Sequence, residues 1–308
     1  MAEPTGSRWQ AVIGIAFVGV AVAVAVVGLR DQWGPIGQAV AAIGWWRVIA
    51  ATALAVVGLL CTAEVWRHCL AALGFPTTRA VTHRIFFPSQ IGKYLPGSVW
   101  PFLAQMRLAR THGIPASAAL LAGSVFLVIH AVTSVPVGSL VLFTRPSFAG
   151  QLAIAGAGAV LGLAMLHPKV LTFGLRKLAG RSGVEARELG WADVIRPLLW
   201  MPPAWLAYGA AAFLLAAPLG VPSADLFALC TGAFAASWLV GLVAIVAPAG
   251  LGAREAVLIL AFQPIMGLAG ATSVALLLRL CHTAADVVLA ARFGLLPETL
   301  PRTPTTQE

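Results

Sequence analysis

The sequence predicts an all-α, polytopic membrane protein with about six full spans plus broken or re-entrant helices, arranged in two pseudo-repeated halves. Of its 308 residues, 59% are hydrophobic and only 10% are charged, whereas a soluble domain averages about 25% charged residues. Several apolar runs approach the roughly 20 residues that a spanning helix needs. These runs lack the period-two alternation of a membrane β-barrel, so we expect helices.

The first predicted span is Trp9–Leu29, an uncharged run between Arg8 and Arg30. The Ala21-Val22-Ala23 pattern inside it also fits a signal-peptide cleavage site. Because the run is longer than the usual 7–15 apolar residues of a signal peptide, we interpret it as a span.

A second span is predicted from about Gly44 to Leu60, ending before the polar patch of Glu64, Arg67 and His68. Residues 76–112 mix basic and apolar groups, and Pro88, Pro96 and Pro101 fall within fourteen positions. Prolines remove amide donors and push the preceding residues out of helical geometry. We therefore predict two short helices around Tyr94–Ser98 that enter and leave the membrane on one side.

Further apolar segments complete the chain. We predict spans at about Ala116–Phe143, Ala149–His167, Pro197–Ala217 (interrupted by Pro202 and Pro203) and Ala224–Ala247, and then a short apolar stretch Ala256–Phe262, a turn at Gln263–Gly270 and a last span from Ala271 to about Phe293. The whole forms one membrane domain over residues 1–296, with halves at about 9–167 and 191–293, a basic connector at 168–190 and a disordered polar tail at 297–308.

The formal net charge of +9 comes from basic residues that lie in loops beside the spans. This placement favours contact with anionic lipid headgroups over nucleic acid. An amino terminus in the cytoplasm puts the basic stretches 64–110 and 168–196 inside, so both termini are predicted to be cytoplasmic. The four cysteines sit in or beside apolar segments without a CxxC pair, so we expect buried thiols rather than a metal site or a disulfide.

The first candidate site is the stretch Gln90–Trp100, where glycine and proline break the helix between apolar runs. Irregular backbone at membrane depth needs partners inside the protein or in a water-filled cavity, and paired helix breaks point to a substrate site near the midplane. Lys93 supplies a positive charge and Arg107 a planar fork for phosphate. The candidate substrate-binding residues here are Gln90, Lys93, Tyr94, Pro96, Gly97 and Arg107. The alternative is an interfacial hairpin that only anchors the protein.

The second candidate site is Pro248–Glu255, which also combines helix breakers with charges: Gly250, Gly252, Arg254 and Glu255. Arg254 can contact a phosphate. Glu255 can pair with a cation or carry a proton, or it can simply cap the new helix, where a carboxylate is favourable.

In the last predicted span, Arg279, His282 and Asp286 share one helical face. Ionisable groups inside a span are costly and mark functional sites by default. The three residues fit a buried Arg279–Asp286 ion pair bridged by His282, proton exchange by His282, or a structural pair between helices. His130, alone in an apolar span, is expected to be a satisfied interior histidine.

The stretch QIGKYLPGSVWPFLAQMRLARTHGIP, residues 90–115, resembles the lysylphosphatidylglycerol synthase transmembrane-domain family, and PAGLGAREAVL, residues 248–258, resembles its second signature. The best-known relatives include the flippase part of the multiple peptide resistance factor. The resemblance implies a domain that moves lipids between leaflets. The chain ends just after its last span, so a soluble aminoacyl-transferase domain is not expected.

We therefore expect a flippase-like translocator of a phospholipid or a polyprenyl-phosphate-linked glycolipid in the bacterial cytoplasmic membrane, with no catalytic residues, cofactor or metal. The sequence has no nucleotide-binding loop, HExxH or GxSxG motif. Two alternatives stay open: a non-catalytic partner that presents a lipid-linked donor to a glycosyltransferase, and an integral membrane transferase.

Overall fold

A computed structural model describes residues 30–95, 99–143, 156–158, 160–162, 164–179, 187–220, 222–244 and 248–294. These residues form helices and no strand, which confirms the predicted fold class. The predicted first span Trp9–Leu29, residues 149–155, 159 and 163 of the predicted Ala149–His167 span, and the predicted tail 297–308 lie outside the described residues. The pseudo-repeat relation between the halves stays a prediction.

The described α-helices are, in chain order, α1 Trp33–Ile43, α2 Trp45–Ala72, α3 Arg79–Gln90, α4 Trp100–Thr111, α5 Ala116–Gly138, α6 Leu140–Phe143, α7 Pro168–Ala179, α8 Trp191–Leu198, α9 Met201–Ala216, α10 Ala224–Val243 and α11 Ala253–Gly294. Five helical stretches in the described part are long and apolar enough to cross a membrane: α2, α5, α8 with α9, α10 and α11.

Two predicted boundaries in these spans are corrected by the structure. Helix α2 does not end at Leu60 but continues through the polar patch, because Glu64 is buried and accepts hydrogen bonds from Arg67 Nε at 2.8 Å and Arg79 Nε at 2.9 Å. Pro202 and Pro203 do not interrupt a span. They occupy the first turn of α9, where a missing amide donor costs little.

Helices α3 and α4 confirm the predicted pair of short helices. Each has 12 residues and is therefore about 18 Å long, too short for a hydrocarbon core of roughly 30 Å. A 3-10 turn, Ile91–Tyr94, follows α3 at the tip of this hairpin. The two helices approach closely there, since a Cβ on Gly92 would lie 2.9 Å from the backbone of Trp100 and Pro101.

Helix α11 is a second hairpin, which confirms the predicted turn between residues 263 and 270. At Gly267 the backbone leaves helical geometry, with φ 70° and ψ 173°. Arg279 Nη1 lies 3.1 Å from Glu255 Oε1 although the residues are 24 positions apart, a separation of about 36 Å along a straight helix. The arms 253–266 and 268–294 therefore run antiparallel.

The second arm of α11 crosses the whole bundle. Near its start, Ser273 donates a hydrogen bond to the Ile36 carbonyl of α1 at 3.3 Å. Near its end, the Phe293 ring packs on Phe87 of α3, with centroids 5.4 Å apart. The α3–α4 hairpin thus enters from the end where α11 finishes, and the arm is about 40 Å long.

Candidate functional site

Two breaks in the helices meet inside the bundle, against the second arm of α11. One is the 3-10 turn Ile91–Tyr94 at the hairpin tip, and the other is the 3-10 turn Pro248–Gly250 between α10 and α11; the two turns contact each other. Both reach the arm between Arg279 and Asp286. These positions lie about 17–28 Å along an arm of about 40 Å, so the irregular backbone sits around its middle.

A first polar cluster ties the hairpin tip to α11. Lys93 Nζ lies 2.6 Å from Asp286 Oδ2, and the Tyr94 hydroxyl donates a hydrogen bond to the same oxygen at 2.7 Å. The Tyr94 oxygen also lies 3.2 Å from Thr283 Oγ1. Asp286 is only 2% exposed, and its second oxygen, Oδ1, is buried without a partner. One carboxylate oxygen therefore receives both the ion pair and the shorter hydrogen bond from the hairpin tip.

A second cluster holds the Pro248–Gly250 turn. Arg279 Nη1 donates hydrogen bonds to Glu255 Oε1 at 3.1 Å and to the Ala249 carbonyl at 3.0 Å. The Gly252 amide donates to Glu255 Oε2 at 2.6 Å. Glu255 thus pairs with a cation and also caps α11. The two roles that the sequence offered as alternatives are both present. Ala249 has φ 50°, a left-handed conformation that non-glycine residues rarely adopt.

Arg254 belongs to neither of these two polar clusters. Its guanidinium forms no hydrogen bond or salt bridge with any residue that the structure describes, and it lies over the Phe234 ring, 5.5 Å from the centroid. Its aliphatic stem packs against Gly241 of α10, where a Cβ would collide with it. The side chain is held in place, but no described carboxylate forms an ion pair with it.

A cavity of about 240 Å³ opens between the two helix breaks. Arg254 and Lys93 supply its charges and Gln90 and Gln105 its amides. Its aromatic rings are those of Phe86, Phe102, Phe126, His130, Tyr208 and Trp238. A smaller cavity of about 60 Å³ adjoins it, lined by Tyr94, Arg279, His282 and Asp286 among others. The arrangement is a mostly apolar chamber with a positive end, suited to an anion attached to a larger group.

Two histidines face these cavities in different ways. His282 Nδ1 lies 2.9 Å from the Leu278 carbonyl, its Nε2 is buried without a partner, and its ring stacks on Phe234. His130 is interior, as predicted, but it is not satisfied. Both of its ring nitrogens are buried without a partner, and its ring stacks on Trp238 with centroids 4.0 Å apart.

The structure brings most of the predicted site residues together. Gln90, Lys93, Gly250 and Arg254 line the larger cavity, Tyr94, Arg279, His282 and Asp286 line the smaller one, and Gly252 and Glu255 support the turn beside them. Pro96 and Gly97 lie outside the described residues. The predicted Arg279–Asp286 ion pair is wrong, because Arg279 pairs with Glu255 and Asp286 with Lys93.

Arg107 does not reach the cavity, whereas a neighbour that sequence reasoning missed does. Arg107 is exposed, while Gln105, two residues earlier on α4, is buried and lines the cavity. Two residues correspond to about 200° around a helix, so these side chains point to opposite faces. The packing of α4 against α5 decides which face is internal: Gly123 of α5 makes room for Gln105.

Tyr208 of α9 and Trp238 of α10 were also missed, and both line the two cavities. Each lies in an apolar run without a neighbouring motif. Its position at the cavities depends on how the helices pack, which the sequence pattern does not reveal. Within the described ranges, no group of three His, Cys, Asp or Glu side chains could hold a metal ion. The four cysteines are free and buried, as predicted.

The sequence profile of a family described as the lysylphosphatidylglycerol synthase TM region matches residues 11–290. No curated protein matches the chain.

Proposed function

From the premise that the chain belongs to the lysylphosphatidylglycerol synthase TM-region family, we propose that it is a lipid translocator. It moves a phospholipid or a polyprenyl-phosphate-linked glycolipid between the leaflets of a bilayer. The headgroup passes through the 240 Å³ cavity while the tails remain in the surrounding lipid. It acts as a transporter and not as an enzyme.

One observation carries this proposal: the Arg254 guanidinium, which forms no ion pair with any described residue, faces a cavity where two helix breaks meet, around the middle of the crossing arm. Arg254 is partly buried, and a charge inside a membrane protein is costly when no carboxylate pairs with it. A bound phosphate would compensate it through the fork geometry that arginine offers. Binding of an anion would thus satisfy a group that the folded chain leaves unsatisfied.

Lys93 can take part in the same step. Its ammonium is 28% exposed and lines the cavity, while its partner Asp286 is 2% exposed. A phosphate on Arg254 would compete with Asp286 for Lys93 and so loosen the attachment of the hairpin tip to α11. Asp286, or His282 beside it, would then be the place where a proton enters the cycle. Rocking of the α3–α4 hairpin against α11 would expose the headgroup to each leaflet in turn.

The distribution of charge over the bundle supports the orientation that we propose. Arg67 and Arg79 share Glu64, Arg79 lies over Trp200, and His167 packs on Trp191, which gathers these basic stretches at one end. We place that end in the cytoplasm of a bacterial cell by the positive-inside rule. The protein is then a multi-pass component of the cytoplasmic membrane.

The test is a transfer assay with the purified protein in lipid vesicles. Fluorescent phosphatidylglycerol or a fluorescent polyprenyl-phosphate sugar is placed in both leaflets, and an external quencher reports how fast the inner pool reaches the outside. Wild-type protein should accelerate transfer, and Arg254→Gln should slow it about ten- to a hundredfold, the loss expected for a hydrogen bond to a charged group.

Arg110→Gln is the matched control, because Arg110 is exposed on α4 and does not line the cavity. It should transfer lipid like the wild type. If folded wild-type protein moves none of these lipids, translocation is rejected. Co-purification with a glycosyltransferase would then favour the presenting partner, and product formation by the purified chain would favour a transferase.

A further inference from the structure

The larger cavity contains polar atoms for which the protein supplies no partner. Gln105 Oε1 and both ring nitrogens of His130 are buried without a hydrogen bond, and these residues are only 4% and 3% exposed. Both line the cavity beside Arg254. Buried polar groups are normally satisfied, so these atoms indicate a ligand that brings its own donors and acceptors. An amide oxygen and imidazole nitrogens can exchange hydrogen bonds with hydroxyl groups.

The charges around the cavity disfavour a headgroup that carries an amine. Its described lining includes Lys93 and Arg254 but no Asp or Glu. The carboxylates nearby are engaged: Asp286 Oδ2 by Lys93 and Tyr94, and Glu255 by Arg279 and the Gly252 amide. Asp286 Oδ1 has no partner but is enclosed by protein. As long as Lys93 stays paired with Asp286, an ammonium group would meet two like charges and no accessible carboxylate.

Aromatic faces could in principle hold an ammonium instead, because cation–π contacts recognise such groups. Two of these faces are already covered. His130 stacks on Trp238 at 4.0 Å between centroids, and Arg254 lies over Phe234 at 5.5 Å. The rings of Phe86, Phe102 and Phe126 still face the larger cavity. Beside two cations, they offer apolar surface to the C–H groups of a polyol.

We propose that this cavity binds a phosphate-linked headgroup made of neutral hydroxyls, such as glycerol, inositol or a sugar, and discriminates against headgroups that carry an amine. Arg254 holds the phosphate, and Gln105 and His130 bind the hydroxyls. A volume of about 240 Å³ lies below the roughly 300–1,000 Å³ of pockets for drug-sized ligands, so it accepts a headgroup and not a whole lipid. That the headgroup belongs to a lipid rests on the proposed function.

The experiment measures lipid binding, not transport. The purified protein in detergent is titrated with short-chain phosphatidylinositol, phosphatidylglycerol, phosphatidic acid, phosphatidylethanolamine and phosphatidylcholine, and bound lipid is counted by native mass spectrometry. Phosphatidylinositol should bind at least about tenfold tighter than phosphatidylethanolamine. Phosphatidic acid, which is anionic but lacks the polyol, separates the effect of charge from the effect of hydroxyls.

Three variants distinguish the residues that bind the hydroxyls from the residue that binds the phosphate. Gln105→Leu and His130→Phe should each weaken phosphatidylinositol about three- to tenfold, the loss of one neutral hydrogen bond, and leave phosphatidic acid unchanged. Arg254→Gln should weaken both lipids. Gln263→Leu is the matched control, because Gln263 is exposed in α11 and does not line the cavity. It should bind like the wild type.

The outcomes separate this inference from the proposed function. Equal affinity for amine-bearing and hydroxyl-bearing lipids, or no binding of any of them, overturns the inference even if vesicles show transfer. Selective binding of the polyol lipids without transfer in vesicles supports the inference and rejects translocation. Loss of phosphatidic acid binding in Gln105→Leu would show that the glutamine supports the phosphate site and not the hydroxyls.

Discussion

At the scale of single residues, Asp286 is the most constrained group in the site. Its carboxylate is 2% exposed, and one oxygen receives both the Lys93 ion pair and the Tyr94 hydrogen bond. Removing one member of a buried pair costs far more than the pair itself contributes, because the remaining charge stays buried. Replacing either Lys93 or Asp286 alone is therefore expected to destabilise the attachment of the hairpin tip to α11.

We predict that Lys93→Met lowers the free energy of unfolding by roughly 3 kcal/mol, the lower end of the range for broken buried pairs, because Lys93 is partly exposed. The double variant Lys93→Met/Asp286→Leu should recover most of this loss. Thermal unfolding in detergent measures both. Arg176→Met, which breaks the exposed Arg176–Glu188 pair, is the control and should change stability by less than about 1 kcal/mol. Equal losses in Lys93→Met and Arg176→Met would contradict the proposed importance of burial.

The sequence predicted which residues belong to the site better than it predicted which way their side chains point. Lys93, Arg254 and Asp286 stood out because charges in apolar runs are rare, and each lines one of the two cavities. Arg107 stood out for the same reason, yet α4 points it outward and Gln105 inward. Which face of a short helix is internal depends on its neighbours, and α4 has no apolar stripe strong enough to reveal that face.

At the scale of elements, the α11 hairpin places the site. The arm 253–266 is about 21 Å long and brings Ile265 beside Gly220, whose Cβ would lie 3.4 Å from it. The second arm then carries Arg279 and Asp286 back to the two helix breaks. The turn was predictable from Pro264, Gly267 and Gly270. The pairing of Arg279 with Glu255 was not, because it depends on how the two arms align.

We predict that Gly267→Ala destabilises this hairpin by about 1–3 kcal/mol, because φ 70° with ψ 173° is a conformation almost restricted to glycine. Space is not the cause, since nothing lies within 4 Å of a Cβ there. Gly174→Ala in α7 meets equally open space without a positive φ and should be neutral or slightly stabilising. Unfolding in denaturant compares the two variants. A neutral Gly267→Ala would mean that the turn relaxes into another geometry.

At the scale of the whole molecule, the two ends of the bundle differ in charge. One end holds Arg67, Arg79 and the basic helix α7, and the other holds Asp225 at the exposed start of α10. Such asymmetry sets orientation during insertion. In the proposed orientation, the anionic headgroups of the cytoplasmic leaflet would lie beside the end from which the α3–α4 hairpin enters.

We predict that a membrane-impermeant maleimide labels Asp225→Cys in intact cells, while Lys177→Cys is labelled only after the membrane is opened. The native cysteines give little background because all four are buried. Both positions are exposed, so they form a matched pair, and labelled protein is counted after purification. The reverse labelling pattern would invert the proposed orientation.

The sequence by itself determined the class of molecule, the approximate spans, the two helix breaks and most of the ionisable residues around them. These features follow from local composition, since hydropathy over about 20 residues selects spans and glycine or proline ends a helix. Only the tertiary structure decided the partners: Lys93 with Asp286, Arg279 with Glu255, and Arg254 with none of the described residues. Pairing depends on which helix faces meet, between residues 24 positions apart for Arg279 and Glu255 and nearly 200 apart for Lys93 and Asp286, and a local sequence pattern carries no information about such contacts.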